Sequence, residues 1–209
     1  MYNSWPNGKL PMIFRRTELD TVMQKYGITK PFEVVDLFEK AIAEFCGSEY
    51  AVAVDNCTDA LFLCLMERKR KIKCEGSFFL YVPKHTYISV PQSVIHAGFK
   101  IKWTTEKWEK EYQLKPFNIY DAAVCFEKDM YCDGLMCLSF QIKKKLPIGK
   151  GGMILTDNNE AYEWLKKARY EGRDITKPYE EDKIDFIGWN MYMTPEDAAR
   201  GLVLFERHD

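Results

Sequence analysis

Short apolar runs alternate with helically spaced segments along most of the chain, and this alternation narrows the possible folds more than any other feature. Val34, Leu37, Phe38, Ala41, Ile42 and Phe45 recur at helical spacing over 32–46, with Gly47 placed to cap the C-terminus. A strand over Tyr50–Val54 follows, and Asp55-Asn56-Cys57-Thr58 lead into a helix from Ala60 to about Glu67. Phe78–Val82 is a strand stopped by Pro83, a helix spans about 88–97, and Gly98 turns the chain into a strand over Lys100–Trp103. Residues 104–116 are charged and aromatic and fit neither period. Strand ends follow at Asn118–Val124, Leu135–Phe140 and Met153–Thr156, with amphipathic helices over Asn159–Tyr170 and Pro195–Arg207. Strands interleaved with helices predict an α/β fold, a mostly parallel sheet sandwiched between helices in three layers. No repeat, low-complexity tract or linker divides the chain, so 1–209 reads as a single domain.

Composition excludes several classes of function. The 209 residues are 46% hydrophobic and 29% charged, a balance expected of a soluble, packed protein. Thirty basic residues against 31 acidic ones leave a formal charge of −1, which argues against a nucleic-acid partner. The cluster Arg68-Lys69-Arg70-Lys71 reads as a solvated helix end. Seven cysteines lie scattered without a CxxC pair, as expected of free thiols in a reducing compartment. No apolar run is long enough to span a membrane, and Met1-Tyr2-Asn3-Ser4-Trp5-Pro6 has no signal-peptide core, so the expected location is cytoplasmic. His85 and His96 lie 11 apart and no Cys/His/Asp cluster has metal spacing, so His85 reads as a structural or site-edge polar group.

Two residues suggest chemistry. Asp121 ends an apolar stretch, and a lysine sits in the glycine-flanked run Ser139-Phe140-Gln141-Ile142-Lys143-Lys144-Lys145-Leu146-Pro147-Ile148-Gly149-Lys150-Gly151-Gly152. Pyridoxal phosphate chemistry requires such a pair. The lysine holds the cofactor as an imine, and the carboxylate keeps the pyridine nitrogen protonated so that the ring can accept electrons.

The spacing Ser139-x-x-x-x-Lys144-x-Leu146-x-x-Gly149-x-Gly151-Gly152 resembles the cofactor-lysine segment of the DegT/DnrJ/EryC1/StrS family, sugar aminotransferases of the aspartate-aminotransferase fold. Counting from Ser139 and from Leu146 selects Lys144 among three consecutive lysines. Four more segments match in order. Phe38-Glu39-x-Ala41-x-Ala43-Glu44-Phe45-x-Gly47 resembles the family's first helix, and Ala51 to Leu61 its phosphate-binding strand–turn–helix. Val82-Pro83-x-x-Thr86-Tyr87 with Ala97-Gly98 resembles the ring-stacking segment. Gly172-Arg173-Asp174 and Gly188-Trp189-Asn190-Met191-Tyr192-Met193 resemble the segment holding the family's Tyr-Asn-Tyr-Arg-Met motif.

The resemblance implies a role for each of these positions. Lys144 would carry the cofactor and later shuttle a proton, and Asp121 would pair with the ring nitrogen. Tyr87 would stack on the ring. The turn Asn56-Cys57-Thr58 at a helix N-terminus would bind the phosphate, with Ser139 adding a contact. Asn190 would reach the phosphate in a neighbouring subunit, implying a homodimer with shared sites. The implied reaction moves an amino group from an amino acid, with glutamate the expected donor, to a keto group on a nucleotide-linked sugar. The alternative is a degenerate homologue serving as a binding or dimerisation scaffold.

The departures from the family pattern are specific. Val124 stands where the family usually has a polar residue, Asp55 adds negative charge beside the phosphate turn, Cys57 replaces a glycine, and Tyr192 replaces an arginine. Only 17 residues separate Trp103 from Asp121, where the family has a further strand–helix unit. The chain reads as a shortened fold type I large domain without the small C-terminal domain, or as a fragment. The aromatic stretch 103–117, or dimerisation, is expected to cover the sheet face that the lost unit would leave open.

Overall fold

The computed structural model describes residues 16–72 and 78–207. The expectations for Met1–Pro6 and for Cys74 lie outside the described residues. The elements run α1 (Thr17–Tyr26), α2 (Glu33–Cys46), β1 (Tyr50–Val54), α3 (Cys57–Lys71), β2 (Phe79–Pro83), α4 (Ser89–His96), β3 (Lys100–Thr104), β4 (Tyr112–Gln113), β5 (Ile119–Asp121), β6 (Leu135–Ser139), β7 (Gly152–Thr156), α5 (Asn159–Ala168) and α6 (Pro195–Phe205).

Five strands form one sheet in the order β1-β7-β6-β5-β4, while β2 and β3 pair separately and in parallel. The α/β class is as expected, but the sheet is mixed rather than mostly parallel. β5 and β6 are parallel, whereas β7 runs against both β6 and β1, and β4 runs against β5. Residues 114–118 between β4 and β5 are too few to cross over the sheet, so those two strands pair antiparallel. β5 and β6 are parallel although no helix lies between them either, so the absence of a helix does not by itself set the direction of β7.

Both faces of the five-stranded sheet are covered, which gives three layers. Along β6, Met136 and Leu138 face a core shared with α1, α2 and α6, while Leu135 and Cys137 face one shared with α3, α4 and α5. β7 divides in the same way, Met153 and Leu155 against Ile154. Alternate residues enter opposite apolar cores, so these strands are unbroken hydrophobic runs in sequence.

The basic cluster 68–71 does more than end a helix in solvent. It surrounds the fully buried Glu67, with Lys71 at 2.8 Å, Arg68 at 3.3 Å and Arg70 at 3.4 Å, while Lys69 donates to the Ala97 carbonyl at 2.7 Å. Helix α1 was not foreseen; it buries only Leu19 and Val22 and packs on α6. The aromatic stretch after β3 adds a strand at the edge of the sheet. Its two-residue β4 lies along β5, and Lys115 accepts from the Tyr81 backbone at 2.8 Å, linking this segment to β2. Tyr112 and Leu114 are buried beneath it.

Candidate active site

Strand direction assembles the site. β1, β5 and β6 share one direction, so their C-terminal ends deliver Asn56, Asp121 and Ser139 to the same rim, where α/β sheets commonly bind ligands. There a cavity of about 430 Å³ opens, within the range of small-molecule sites. Asn56, Cys57, Thr58, Tyr87, Asp121, Ser139 and Lys144 all line it; of the expected site residues, Asn190 alone does not.

The three lysines separate by environment. Lys145 is exposed and ion-paired with Glu127 at 2.9 Å, and Lys143 is exposed at the cavity edge. Lys144 is half-buried, and its charge acts on Asp121 and Cys57 within the cavity. The Gln141 carbonyl accepts from its backbone at 2.8 Å, closing the turn that carries it.

Asp121 is 7% exposed at the end of β5. Its Oδ1 accepts from the Ala123 backbone at 3.0 Å and its Oδ2 from the Tyr112 hydroxyl at 2.6 Å. Burial pushes its carboxyl up, while Tyr112, the Ala123 N–H and Lys144 oppose that push.

At the other end of the cavity, α3 starts at Cys57, capped by Asn56, whose Oδ1 accepts from the Asp59 backbone at 2.9 Å. Here two glycines are required. Gly151 has φ +139°, and a Cβ on Gly152 would lie 2.5 Å from the Asn56 carbonyl carbon, so only glycine lets β7 pass this close to the helix start. Thr58 Oγ1 donates to Ser89 Oγ at 2.8 Å. The negative charge of Asp55 is paired, since Asp55 Oδ2 accepts from Lys150 at 2.8 Å and Oδ1 from Asn56 Nδ2 at 2.8 Å. Burial and the neighbouring Asp55 push Asp59 up to about 7. Burial also pushes the Cys57 thiol well up, so it remains protonated.

Tyr87 stands at the mouth, 75% exposed, and Asn190 is exposed with its amide donating to Glu171 at 2.6 Å. Val124 is 43% exposed and outside the cavity, whereas Gln141 lines it. The sequence reading passed over Gln141, Lys150, Ser89 and Tyr112. Among the described residues no cluster of His, Cys, Asp and Glu could hold a metal, and no helix is long and apolar enough to cross a membrane.

A three-layer α/β sheet with a lysine and a buried carboxylate at one rim and a helix N-terminus opposite has the large-domain fold of fold type I aminotransferases. More narrowly, the chain belongs to the DegT/DnrJ/EryC1/StrS aminotransferase family, whose model matches residues 14–123 and 132–209. It is 26% identical over 215 residues to GDP-perosamine synthase of Caulobacter vibrioides, covering 82% of this chain and 56% of that protein. It is also 26% identical over 226 residues to the spore coat polysaccharide biosynthesis protein SpsC of Bacillus subtilis, covering 84% and 57%. The chain thus spans little more than half the length of these relatives. The crystal structure of AtS13 from Actinomadura melliaura superposes with a TM-score of 0.74 at 20% identity, covering 91% of this chain and 64% of that one.

Proposed function

We propose that the cavity holds pyridoxal phosphate and that the protein moves an amino group from an amino acid, glutamate being the expected donor, to a keto group on a nucleotide-linked sugar. The observation carrying this reading is the convergence of Lys144 and Asp121 on one cavity that ends at the N-terminus of α3. The names of the relatives, a GDP-perosamine synthase and a polysaccharide biosynthesis protein, support the sugar-linked substrate class. When bound, the cofactor would supply an aldehyde that condenses with amines and an electron-poor ring that stabilises negative charge on the neighbouring carbon.

The residues of this chain divide the work. Lys144 Nζ would hold the cofactor and, once displaced by the donor amine, take a proton from one carbon and return it to another. Asp121 would accept from the ring nitrogen and favour its positive form. The first backbone N–H groups of α3, the Thr58 hydroxyl and Ser139 would bind the phosphate, where the helix dipole favours an anion. Tyr87 would cover the open ring face, and its exposure leaves it free to do so. Asn190, exposed and outside the lining of its own cavity, would serve a second copy in a homodimer. A cytoplasmic location is part of the same reading. The scaffold alternative has no comparable support, because a chain that had lost this chemistry would have no need of a lysine and a carboxylate in one cavity.

The test is an absorbance spectrum of the protein with added pyridoxal phosphate, beside Lys144→Ala. A visible band that is absent in the variant and bleached by glutamate is the expected result. Absence of the band in the wild type would overturn the reading.

A further inference from the structure

We propose that Tyr112 is a positioning residue for the cofactor's ring nitrogen, holding the Asp121 carboxylate in the orientation that accepts from it. This rests on the reading of the cavity as a pyridoxal phosphate site. Tyr112 does not line the cavity; it is 6% exposed on the two-residue strand β4, opposite Asp121.

The proton positions follow from valence. A phenol has one proton, and the Tyr112 hydroxyl donates it to Asp121 Oδ2 at 2.6 Å. Thr86 Oγ1, bonded to the same hydroxyl, must therefore donate its own proton to the Tyr112 oxygen. The chain runs Thr86 to Tyr112 to Asp121, with each donor directed toward the carboxylate, an arrangement that favours its charged form. The ring itself is fixed. β4 pairs Tyr112 opposite Asp121, and Trp108 packs on Tyr112 with centroids 4.9 Å apart. Trp108 Nε1 also donates to the His85 carbonyl at 2.7 Å, so the same segment steadies the loop that carries Tyr87.

The groups facing Asp121 are Tyr112 from β4, Cys57 from the start of α3, Cys137 from β6 and Lys144 from the turn after β6. Without the Tyr112 hydroxyl, only the Ala123 N–H and Lys144 would oppose the effect of burial. A carboxyl that takes up a proton can no longer stabilise a positive ring nitrogen.

The experiment compares the affinities of wild type, Tyr112→Phe and Thr86→Val for pyridoxal phosphate and for its 1-deaza analogue, in which C–H replaces the ring nitrogen. Dissociation constants are read from tryptophan fluorescence without turnover. Wild type should prefer pyridoxal phosphate. In Tyr112→Phe that preference should fall about tenfold or more, the size of a hydrogen bond to a charged group, while affinity for the analogue is unchanged. Thr86→Val leaves the tyrosine ring in place and should lose a smaller part of the preference. A purely packing role would weaken both ligands equally, and an unchanged preference in either variant overturns this proposal alone. Wild type binding neither ligand overturns the cofactor reading and this proposal with it.

Discussion

The five-stranded sheet and the β2–β3 pair are both built from short apolar strands, yet they differ in how they are covered. β6 and β7 are buried at almost every position, with a core on each side. On β2 only Leu80, Val82 and Pro83 are buried, while Phe79 is 40% and Tyr81 43% exposed. Two lysines of β3 cover those rings, with Lys102 Nζ 4.7 Å from the Phe79 centroid and 5.8 Å from that of Tyr81. The cavity lies between the two regions. Asp121, Ser139 and the Lys144 turn are fixed to strands locked between two cores. Tyr87 and Ser89 stand across from them on the β2–α4 side, held to the rest by the bonds of Trp108 and Tyr112. Both walls rest on the same inner core, through Leu80, Val82, Val90 and Val94 on the β2–α4 side, and what differs is that the β2–β3 pair leaves its outer face open.

The most disruptive way to break this contrast is to weaken the packed region from inside. Glu39 and Arg169 are 4% and 3% exposed and joined to each other. Glu39 also accepts from the Ala53 backbone at 2.8 Å and from Lys166 at 2.7 Å, and Arg169 donates to the Ala53 carbonyl. The network ties α2, β1 and α5 together. Arg169→Met would leave a buried carboxylate with Lys166 as its only cation and the Ala53 carbonyl without its donor. Breaking a buried pair in this way costs about 3–5 kcal/mol, read as a drop in the urea unfolding free energy. A loss below about 1 kcal/mol would mean that this region does not depend on its interior network.

A smaller effect sharpens the comparison at the phosphate end. Asp59, pushed up to about 7, keeps a proton in the folded state that the unfolded chain releases near its ordinary value of about 4. The folded state therefore binds more protons between those values, and stability falls as pH rises from about 4 to about 7, levelling off above that range. Asp59→Asn removes this fall. After discounting for its partial exposure, the variant should exceed wild type by on the order of 1 kcal/mol at pH 8 and match it near pH 4. Urea midpoints at the two pH values check this, and a gain of equal size at both would mean that Asp59 does not hold its proton through this range. Affinity for pyridoxal phosphate should follow the same direction, since an ionised Asp59 places negative charge beside Thr58.

The contrast in cover does not decide what could be read from sequence. β1, β2, β3, β6 and β7 were placed within a residue because short apolar runs bounded by Gly, Pro or polar residues mark strands whether one face or both are covered. Asp121 was placed because it ends such a run, and Lys144 because the family resemblance fixes its register among three lysines. Strand direction was not legible, since an apolar run carries no polarity. β4 has two residues and no period, so Tyr112 was hidden until the fold set it opposite Asp121. The Lys150–Asp55 pair spans 95 residues and has no local signature. Helix α1 buries only two residues, too few for a clear periodic signal.

The mildest test addresses the outer face of the β2–β3 pair. Tyr81 contributes an exposed ring and its contact with Lys102, while its backbone N–H, bonded to Lys115, survives any substitution other than proline. Tyr81→Ser should therefore change the unfolding free energy by no more than about 0.5 kcal/mol, the usual range for surface positions. A loss beyond about 1.5 kcal/mol would mean that this face is buried in solution, for instance against a second copy of the chain. In that case β2 and β3 would be covered on both sides like the larger sheet.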